Sequence, residues 1–528
     1  MREDCEKLVR NMAKGSEWVS PRQVSAVQES QWRRLVVRSR GGALTADSLE
    51  EPNLGGVRSG FCRESEVNRK MNFADKWFRI GFAASLVVAL LFTMQPAAGA
   101  QSTGVPSATP PMGWNSWDSY GTTVNEAQVK ANADWMAKNL KAFGWQYVVV
   151  DMEWFVTNPI PEGNAKDSLY SLDAMGRYTP PVNRFPSAAG AGFKPLADYV
   201  HALGLKFGIH ILQGIPKEAV KLNDPIEGST FHASDAADTS GTCKWNYDNY
   251  DVRDTPAGQA YYDSIARLYA GWGVDLIKVD CIAFAPYKGN EIRMLSTALT
   301  KTGRPIALSL SPGPAPLEKQ AEMQQYATQW RISNDIWDIW HSTEFYPQGL
   351  NDQFAKVAAW ATDPRNGHYP DADMLPLGYL GPAAGWGTPR QTRLTHDEQR
   401  TFLTLWGIFR SPLMMGGDLP HNDRWTTSLL TNREFLNVDQ HARDTKVAVS
   451  SDKDVVWTSK PESGAGNYLA IFNRSEEPRT LHYTWAQLGI PEGVYRLRDL
   501  WEHKDLGPAK EITVTLAPHA SVLYRARP

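Results

Sequence analysis

The chain has 528 residues, with 55 basic and 58 acidic side chains and a formal net charge of -3. Charges of both signs are interspersed, so no basic patch favours nucleic acid as a partner. The length allows two or three domains, and an apolar fraction of 42% supplies an ample hydrophobic core. Twenty tryptophans and nineteen tyrosines are the unusual feature. Their flat faces suit carbohydrate, although most of them are expected to belong to the core.

The first hundred residues carry an export pattern. A basic segment after Met71 precedes an apolar run from Ile80 to Met94, and small residues stand directly before Gln101. A secretory signal peptide has these segments in the same order. The apolar run is shorter than a typical transmembrane helix requires. We predict residues 1–70 to be a non-native extension and residues 71–100 a signal peptide, so that the mature protein is secreted or periplasmic. A cytoplasmic tail on a signal anchor is the alternative.

Strand-like and helix-like segments alternate over residues 101–440, as in a parallel sheet covered by helices. The predicted helices have apolar residues at three- and four-residue spacing, and a glycine follows each of them. The predicted strands are 147–151, 206–211, 274–280, 305–310, 329–332 and 405–415, and the predicted helices are 126–143, 194–203 and 258–271. We therefore predict an α/β fold, a (β/α)8 TIM barrel, for this part.

After about residue 440 the pattern changes to short strands separated by turns. The predicted strands are 454–458, 468–472, 495–499 and 512–516. This pattern indicates a C-terminal antiparallel β-sandwich domain over residues 441–528.

Two carboxylates stand at the ends of predicted barrel strands. Asp280 ends the strand 274–280, with Lys278 two residues earlier on the same face, and Asp335 follows Arg331 after a later strand. Two acids in one cleft are the minimum apparatus for cleaving a glycosidic bond. Lys278 would keep Asp280 ionised, and Arg331 can orient Asp335 or a sugar hydroxyl. The structural alternative is a strand-end cap and an ordinary ion pair.

The cysteines agree with export. Cys5 and Cys62 fall in the leader, which leaves Cys243 and Cys281 as the pair in the mature chain. In an oxidising compartment we expect these two to form a disulfide, which would brace the rim beside Asp280. Two unpaired buried thiols are the alternative.

From about residue 109 onward the chain resembles glycoside hydrolase family 27, the melibiase-type α-galactosidases. The motifs that carry the resemblance occur in the family's order at 111–117, 147–154, 278–281, 330–335, 371–375 and 411–419. The resemblance implies a barrel followed by a β domain. It also implies Asp280 as the nucleophile and Asp335 as the acid/base of a retaining double displacement. By the same resemblance, Trp117 stacks on the sugar and Asp151 accepts hydrogen bonds from its hydroxyls.

The chain departs from the α-galactosidase pattern at three places that would contact the sugar. Met152 replaces the second of two paired aspartates that follow the second strand. After the third strand stand His210, expected to contact sugar or to be structural, and Gln213, which we expect to supply the polar group. Ser311 stands near the position of a glutamate that would contact the sugar 2-hydroxyl, and leaves room for a larger substituent there.

Three interpretations of function follow. The favoured one is a secreted retaining exo-α-galactosidase. The second keeps the mechanism on β-L-arabinopyranose or N-acetylgalactosamine, and the third is an inactive carbohydrate-binding barrel. The expected partner is a carbohydrate, with neither nucleic acid nor, after signal cleavage, a membrane. No metal-ligand spacing, phosphate-binding glycine loop or nucleotide fingerprint occurs in the sequence, so we expect no metal and no cofactor.

Overall fold

The computed structural model describes residue 104 and residues 107–161, 167–344, 346–361, 367–381 and 388–528. The predicted extension and signal peptide lie outside these residues and remain predictions. Within this part of the chain, no helix is both long and apolar enough to cross a membrane.

Eight parallel strands form one curled sheet. They are β1 (Met112–Asn115), β2 (Tyr147–Val150), β3 (Lys206–Leu212), β4 (Leu276–Asp280), β5 (Ala307–Leu310), β6 (Gln329–Arg331), β7 (Tyr369–Asp371) and β8 (Leu413–Met415). Neighbours in the sheet follow chain order from β1 to β7, and β8 pairs with β1. A parallel bridge between Leu375 and Met415 joins the segment after β7 to β8 and closes the barrel. The predicted TIM barrel is confirmed.

Helices alternate with these strands. The α-helices are α1 (Trp117–Tyr120), α2 (Glu126–Asn139), α3 (Lys194–Ala202), α4 (Lys217–Leu222), α5 (Ala233–Ala236), α6 (Pro256–Trp272), α7 (Gly289–Lys301), α8 (Gln320–Tyr326), α9 (Gln353–Ala359), α10 (His396–Phe409), α11 (Arg424–Leu430) and α12 (Arg433–His441). Their ends follow local chemistry. Asn125 and Gln128 form a capping box that begins α2, and Gly273 ends α6 in the left-handed conformation.

The barrel interior is apolar toward its floor. Residues of four strands, β2, β4, β5 and β8, are buried together there: Tyr147, Val149, Leu276, Ala307 and Met414. Because parallel strands all end at one face, their last residues and the loops that follow them collect at the opposite, polar end.

One predicted strand is wrong in extent. The apolar run 405–415 was predicted as a strand throughout, whereas residues 396–409 form α10 and β8 contains three residues. Thr395 and Glu398 form a capping box at the start of α10, and Arg410, with φ of 64°, ends it. A segment that is buried on all sides is apolar whether it forms a helix or a strand, so the pattern of apolar residues alone did not distinguish helix from strand.

The C-terminal domain is antiparallel, as predicted. Its strands are β9 (Ala442–Ser450), β10 (Asp454–Pro461), β11 (Asn467–Asn473), β12 (Arg479–Thr484), β13 (Tyr495–Asp499), β14 (Lys504–Ala509), β15 (Glu511–Leu516) and β16 (Ser521–Arg527). Six of them form one sheet, and β12 pairs with β15 in a second. Leu469, Ile471, Leu481 and Ile512, from both sheets, belong to one buried cluster.

The barrel and the β domain share a hydrophobic core. Trp457 and Leu523 of the β domain belong to the same buried cluster as the barrel residues. Trp501 Nε1 donates a hydrogen bond to Thr404 Oγ1 of α10 at 2.8 Å. On the other side of the contact, the ring of Trp340 stacks on that of His519 with centroids 3.8 Å apart. The β domain is therefore packed firmly against the barrel.

Candidate active site

Asp280 lies at the end of β4, where its carboxylate is 90% buried. The chain turns sharply after it, because Cys281 has a φ of 66°. Cys281 forms a disulfide with Cys243, so the predicted bridge is confirmed and anchors this turn. The main-chain N–H of Gln213, directly after β3, donates to the Asp280 carbonyl oxygen at 3.0 Å. The backbone around Asp280 is thus fixed from two sides.

The surroundings of Asp280 favour its ionised form. Burial alone would raise the pKa of this carboxyl, but Lys278 and His210 outweigh burial and hold the pKa well below its usual value. His210 Nε2 lies 3.0 Å from Asp280 Oδ2, and the Ser311 hydroxyl also stabilises the anion. A carboxylate kept ionised is suited to attack as a nucleophile.

Lys278 contacts a different carboxylate directly. Its Nζ donates to Asp151 Oδ2 at 2.9 Å, and Asn115 Nδ2 donates to the same oxygen at 2.6 Å. Burial alone would lower the pKa of Lys278, but Asp151 and Asp280 raise it, so the ammonium group stays charged. Lys278 therefore neutralises two buried carboxylates at once.

Asp335 follows β6 and pairs with Arg331 at the end of that strand. Arg331 Nη2 donates to Asp335 Oδ1 at 3.1 Å and pairs with Asp373 Oδ2 at 2.7 Å. Burial alone would lower the pKa of Arg331, but Asp373 and Asp335 raise it. The Asp335 side chain is 35% exposed, against 10% for Asp280. Asp335 is therefore the acid with better access to water.

Trp117 and Met152 lie close in sequence to Asn115 and Asp151. Trp117 is half-buried, lies outside the buried hydrophobic clusters, and donates its main-chain N–H to Asn115 Oδ1 at 2.9 Å. Met152 is buried, and its main-chain N–H donates to Asp151 Oδ1 at 2.8 Å. Part of Trp117 is therefore exposed to solvent, and residue 152 is fixed next to Asp151.

One expectation about polar sugar contacts, that for Gln213, needs correction. Gln213 does not turn its amide toward the sugar site, because Nε2 donates to Asp251 Oδ1 at 2.9 Å and Glu291 Oε1 at 2.7 Å. His210, expected to contact sugar or to be structural, is completely buried with its Nε2 3.0 Å from Asp280 Oδ2, which favours the structural alternative. Ser311 is 1% exposed and acts on the same carboxylate. These contacts join different strands, so sequence spacing could not assign them.

Asp373 and Asn115 were not predicted as site residues. Asp373 accepts main-chain N–H groups of Ile336 and Met374 at 2.7 Å each, in addition to its ion pair with Arg331. Burial raises the pKa of Asp373 while Arg331 opposes that rise. Both residues belong to sequence motifs that support the family resemblance, which was the available signal.

Comparison with known proteins agrees with this geometry. Residues 245–441 match the family model described as "Alpha galactosidase A", and residues 451–526 match the "Alpha galactosidase C-terminal beta sandwich domain". A GH27 β-L-arabinopyranosidase from Geobacillus stearothermophilus is 47% identical in sequence. The alignment covers 80% of this chain and 97% of that one, with a TM-score of 0.75. The chain belongs to glycoside hydrolase family 27.

Other relatives in the family have different activities. An α-galactosidase from Coffea arabica is 30% identical over 431 residues, which cover 80% of this chain and 94% of that protein. An α-N-acetylgalactosaminidase from Gallus gallus is 26% identical over 446 residues, covering 79% and 93% of the two chains. Membership in the family makes this protein a glycoside hydrolase, and its relatives include enzymes for three related sugars.

Proposed function

We propose that this protein is a retaining exo-glycosidase that releases terminal β-L-arabinopyranose, with terminal α-D-galactose as the second candidate sugar. The pairing of an ionised, buried Asp280 with a more exposed Asp335 across one site is the observation that supports the reaction. Asp280 attacks the anomeric carbon and forms a glycosyl–enzyme bond while Asp335 protonates the leaving oxygen. Asp335 then takes a proton from water, which displaces Asp280 and releases the sugar.

The surrounding groups support this division of roles. Lys278 and His210 stabilise the Asp280 anion, which favours nucleophilic attack. Arg331 holds one oxygen of Asp335 at 3.1 Å, and the exposure of Asp335 allows it to exchange protons with incoming water. Trp117 offers an aromatic face on which the sugar ring would stack.

Met152 favours arabinopyranose as the sugar. β-L-Arabinopyranose has the ring hydroxyl arrangement of α-D-galactose but lacks the hydroxymethyl group. A buried methionine next to Asp151 offers no hydrogen bond to a hydroxymethyl oxygen, and it can pack against a ring that lacks this group. The β-L-arabinopyranosidase at 47% identity supports the same sugar. The α-galactosidase from Coffea arabica supports galactose as the second candidate.

The reaction is tested with p-nitrophenyl β-L-arabinopyranoside, α-D-galactopyranoside and N-acetyl-α-D-galactosaminide. We expect turnover of the first two and a first-formed sugar with the anomeric configuration of the substrate, as observed by NMR. Asp280→Asn and Asp335→Asn should each lose several orders of magnitude in kcat/KM, roughly 10³-fold or more for the nucleophile. A folded Asp280→Asn variant with near wild-type turnover, or inversion at the anomeric carbon, would refute the mechanism.

The sugar preference is tested at Met152. Met152→Asp restores a hydrogen-bonding group and should raise kcat/KM on the galactoside relative to the arabinopyranoside by about ten-fold or more. Met152→Leu, which keeps an apolar side chain of similar volume, is the matched control and should leave this ratio unchanged. A flat ratio in folded, active Met152→Asp would show that residue 152 does not contact the sugar.

We also propose that the protein is exported and that the mature chain begins near Gln101. The disulfide between Cys243 and Cys281 supports an oxidising compartment. Mass spectrometry of protein recovered from the periplasm or medium should find an N-terminus close to Gln101. Recovery of the intact chain from Met1 would contradict this proposal.

A further inference from the structure

Asp371 is a buried carboxylate at the end of β7, and the mechanism above does not use it. It lies directly opposite Arg331 of β6 in the sheet and is 5% exposed. It begins the sequence motif 371–375, in which Asp373 is the residue that pairs with Arg331. A carboxylate this deeply buried requires bonded partners, and these partners show what Asp371 holds in place.

Both oxygens of Asp371 accept hydrogen bonds from protein groups. Oδ1 accepts the main-chain N–H of Asp373 at 2.9 Å, and Oδ2 accepts Gln329 Nε2 at 3.2 Å. Gln329 Nε2 also donates to Ser309 Oγ at 3.1 Å, directly opposite it in β5. Gln329 and Ser309 are as deeply buried as Asp371. The two preceding strands of the barrel therefore hold Asp371, and Asp371 in turn holds the backbone of Asp373.

Asp373 needs such support because its backbone conformation is unusual. Its φ of 102° lies in the left-handed region, which is strained for a residue other than glycine. A residue keeps that conformation only where the surrounding contacts impose it. The N–H of Asp373 is bonded to Asp371, and its carbonyl oxygen accepts Trp406 Nε1 at 2.8 Å. Asp371 therefore fixes the peptide on one side of residue 373, and Trp406 fixes the peptide on the other.

The side chain of Asp373 connects to Asp335 by two routes. Its Oδ2 pairs with Arg331 Nη2 at 2.7 Å, and the same nitrogen donates to Asp335 Oδ1 at 3.1 Å. Asp373 Oδ2 also accepts the main-chain N–H of Ile336, the residue directly after Asp335, at 2.7 Å. A displacement of Asp373 therefore moves both the partner of the Asp335 carboxylate and the backbone next to it. A misplacement of about 1 Å can cost about 10²-fold in rate.

We propose that Asp371 is a positioning residue for the proposed acid/base Asp335, acting through Asp373. It holds Asp373 in the left-handed conformation that directs its carboxylate to Arg331 and to the Ile336 N–H. The nucleophile Asp280 has separate supports in Lys278, His210 and Ser311. Loss of Asp371 should therefore impair protonation of the leaving group more than nucleophilic attack. This inference rests on the proposed glycosidase function and adds a structural support to it.

The test compares two leaving groups on whichever of the three candidate sugars the wild type cleaves. p-Nitrophenoxide is a weak base that departs with little protonation, whereas the methoxy group of a methyl glycoside depends on the general acid. In Asp371→Ala, kcat/KM should fall about ten-fold or more further on the methyl glycoside than on the p-nitrophenyl glycoside. Asp371→Asn keeps an oxygen for the Asp373 N–H, so its ratio of the two kcat/KM values should lie within about three-fold of wild type.

Asp499→Ala is the matched control. Asp499 is 8% exposed, and its Oδ1 accepts the main-chain N–H of Trp501, also two residues later in the chain, at 2.9 Å. It ends β13 in the β domain, away from the acid/base segment. Its loss should lower Tm and leave the ratio of the two kcat/KM values unchanged. Asp335→Asn is measured beside it, because removal of the acid/base itself should give the largest difference between the two leaving groups.

The outcomes separate the two proposals. If the wild type cleaves none of the three sugars, or if Asp335→Asn loses equally on both leaving groups, the proposed function or its acid/base fails, and this inference fails with it. If Asp335→Asn shows the difference but folded Asp371→Ala loses equally on both substrates, Asp371 has only a structural role and this inference alone is overturned. Should Asp371→Ala not fold, Asp371→Leu fills the same space without an oxygen and is judged by the same ratio.

Discussion

Removing the charge of Lys278 should damage both the chemistry and the fold. Lys278→Met keeps much of the volume of the side chain, but it leaves Asp151 and Asp280 without the ammonium group that neutralises them. The Lys278 side chain is 13% exposed and its Nζ lies 2.9 Å from Asp151 Oδ2. Breaking a buried pair of this kind costs about 3–5 kcal/mol of unfolding free energy.

The kinetic effect follows from the same charge. Without Lys278, burial pushes the pKa of Asp280 upward, and each 1.4 kcal/mol of lost stabilisation is about one pKa unit. We expect the acid limb of kcat/KM to move up by roughly one to two pH units, because Asp280 must be ionised to attack. The assay is a pH–rate profile on the best p-nitrophenyl glycoside, with Tm measured at each pH.

The lowered pKa of Asp280 also determines how stability depends on pH. The folded-state pKa of Asp280 lies below its unfolded value, so its ionisation stabilises the fold at neutral pH. That contribution is lost as pH falls through the folded-state pKa. Lys278→Arg keeps the charge and should retain most of the wild-type acid limb. An unmoved acid limb in folded Lys278→Met would refute the assignment of Lys278 as the group that keeps Asp280 ionised.

Two further predictions concern stability. Replacing Cys243 and Cys281 by serine opens a loop with a sequence separation of 38 residues. Urea unfolding should show that the free energy of unfolding falls by about 2–4 kcal/mol, and a fall below about 0.5 kcal/mol would contradict this prediction. Burial raises the pKa of Glu291 to about 7, so between pH 4.5 and 7 the folded protein keeps a proton that the unfolded chain has lost. The free energy of unfolding should therefore fall by up to about 3 kcal/mol as the pH rises from 4.5 to 7. Glu291→Gln cannot lose that proton and should flatten this dependence; an equally steep fall in the variant would rule out Glu291 as its source.

The barrel strands were largely predictable from the sequence because their burial on both faces makes them apolar runs. β3 was predicted to within one residue, at 206–211 against Lys206–Leu212. β7 was not predicted, because Tyr369–Asp371 has a proline at its centre, which argues against a strand. Four of the eight strands of the β domain were predicted, and β9, β12, β14 and β16 were missed. In β9 the exposed residues dilute the alternation.

The candidate site residues could be predicted from the sequence more readily than the contacts between them. Asp280 and Lys278 stand out at a strand end, and their shared face follows from strand geometry. The direct partner of Lys278 is Asp151, which directly follows β2. The side chain of His210, in β3, contacts Asp280 at the end of the neighbouring strand β4. Such contacts depend on which strands are neighbours and on their register, which a single sequence does not specify.

The packing of Trp340 on His519 links the segment after Asp335 to the β domain. Trp340 lies five residues after Asp335, so the segment that carries this proposed proton donor rests on the β domain through a stacked contact. α10, almost entirely buried, is covered by the same domain. Cutting the chain before Ala442 would uncover that helix and release the Asp335 segment, so the barrel cannot be transplanted as an independent catalytic module. The two domains should instead melt in a single transition.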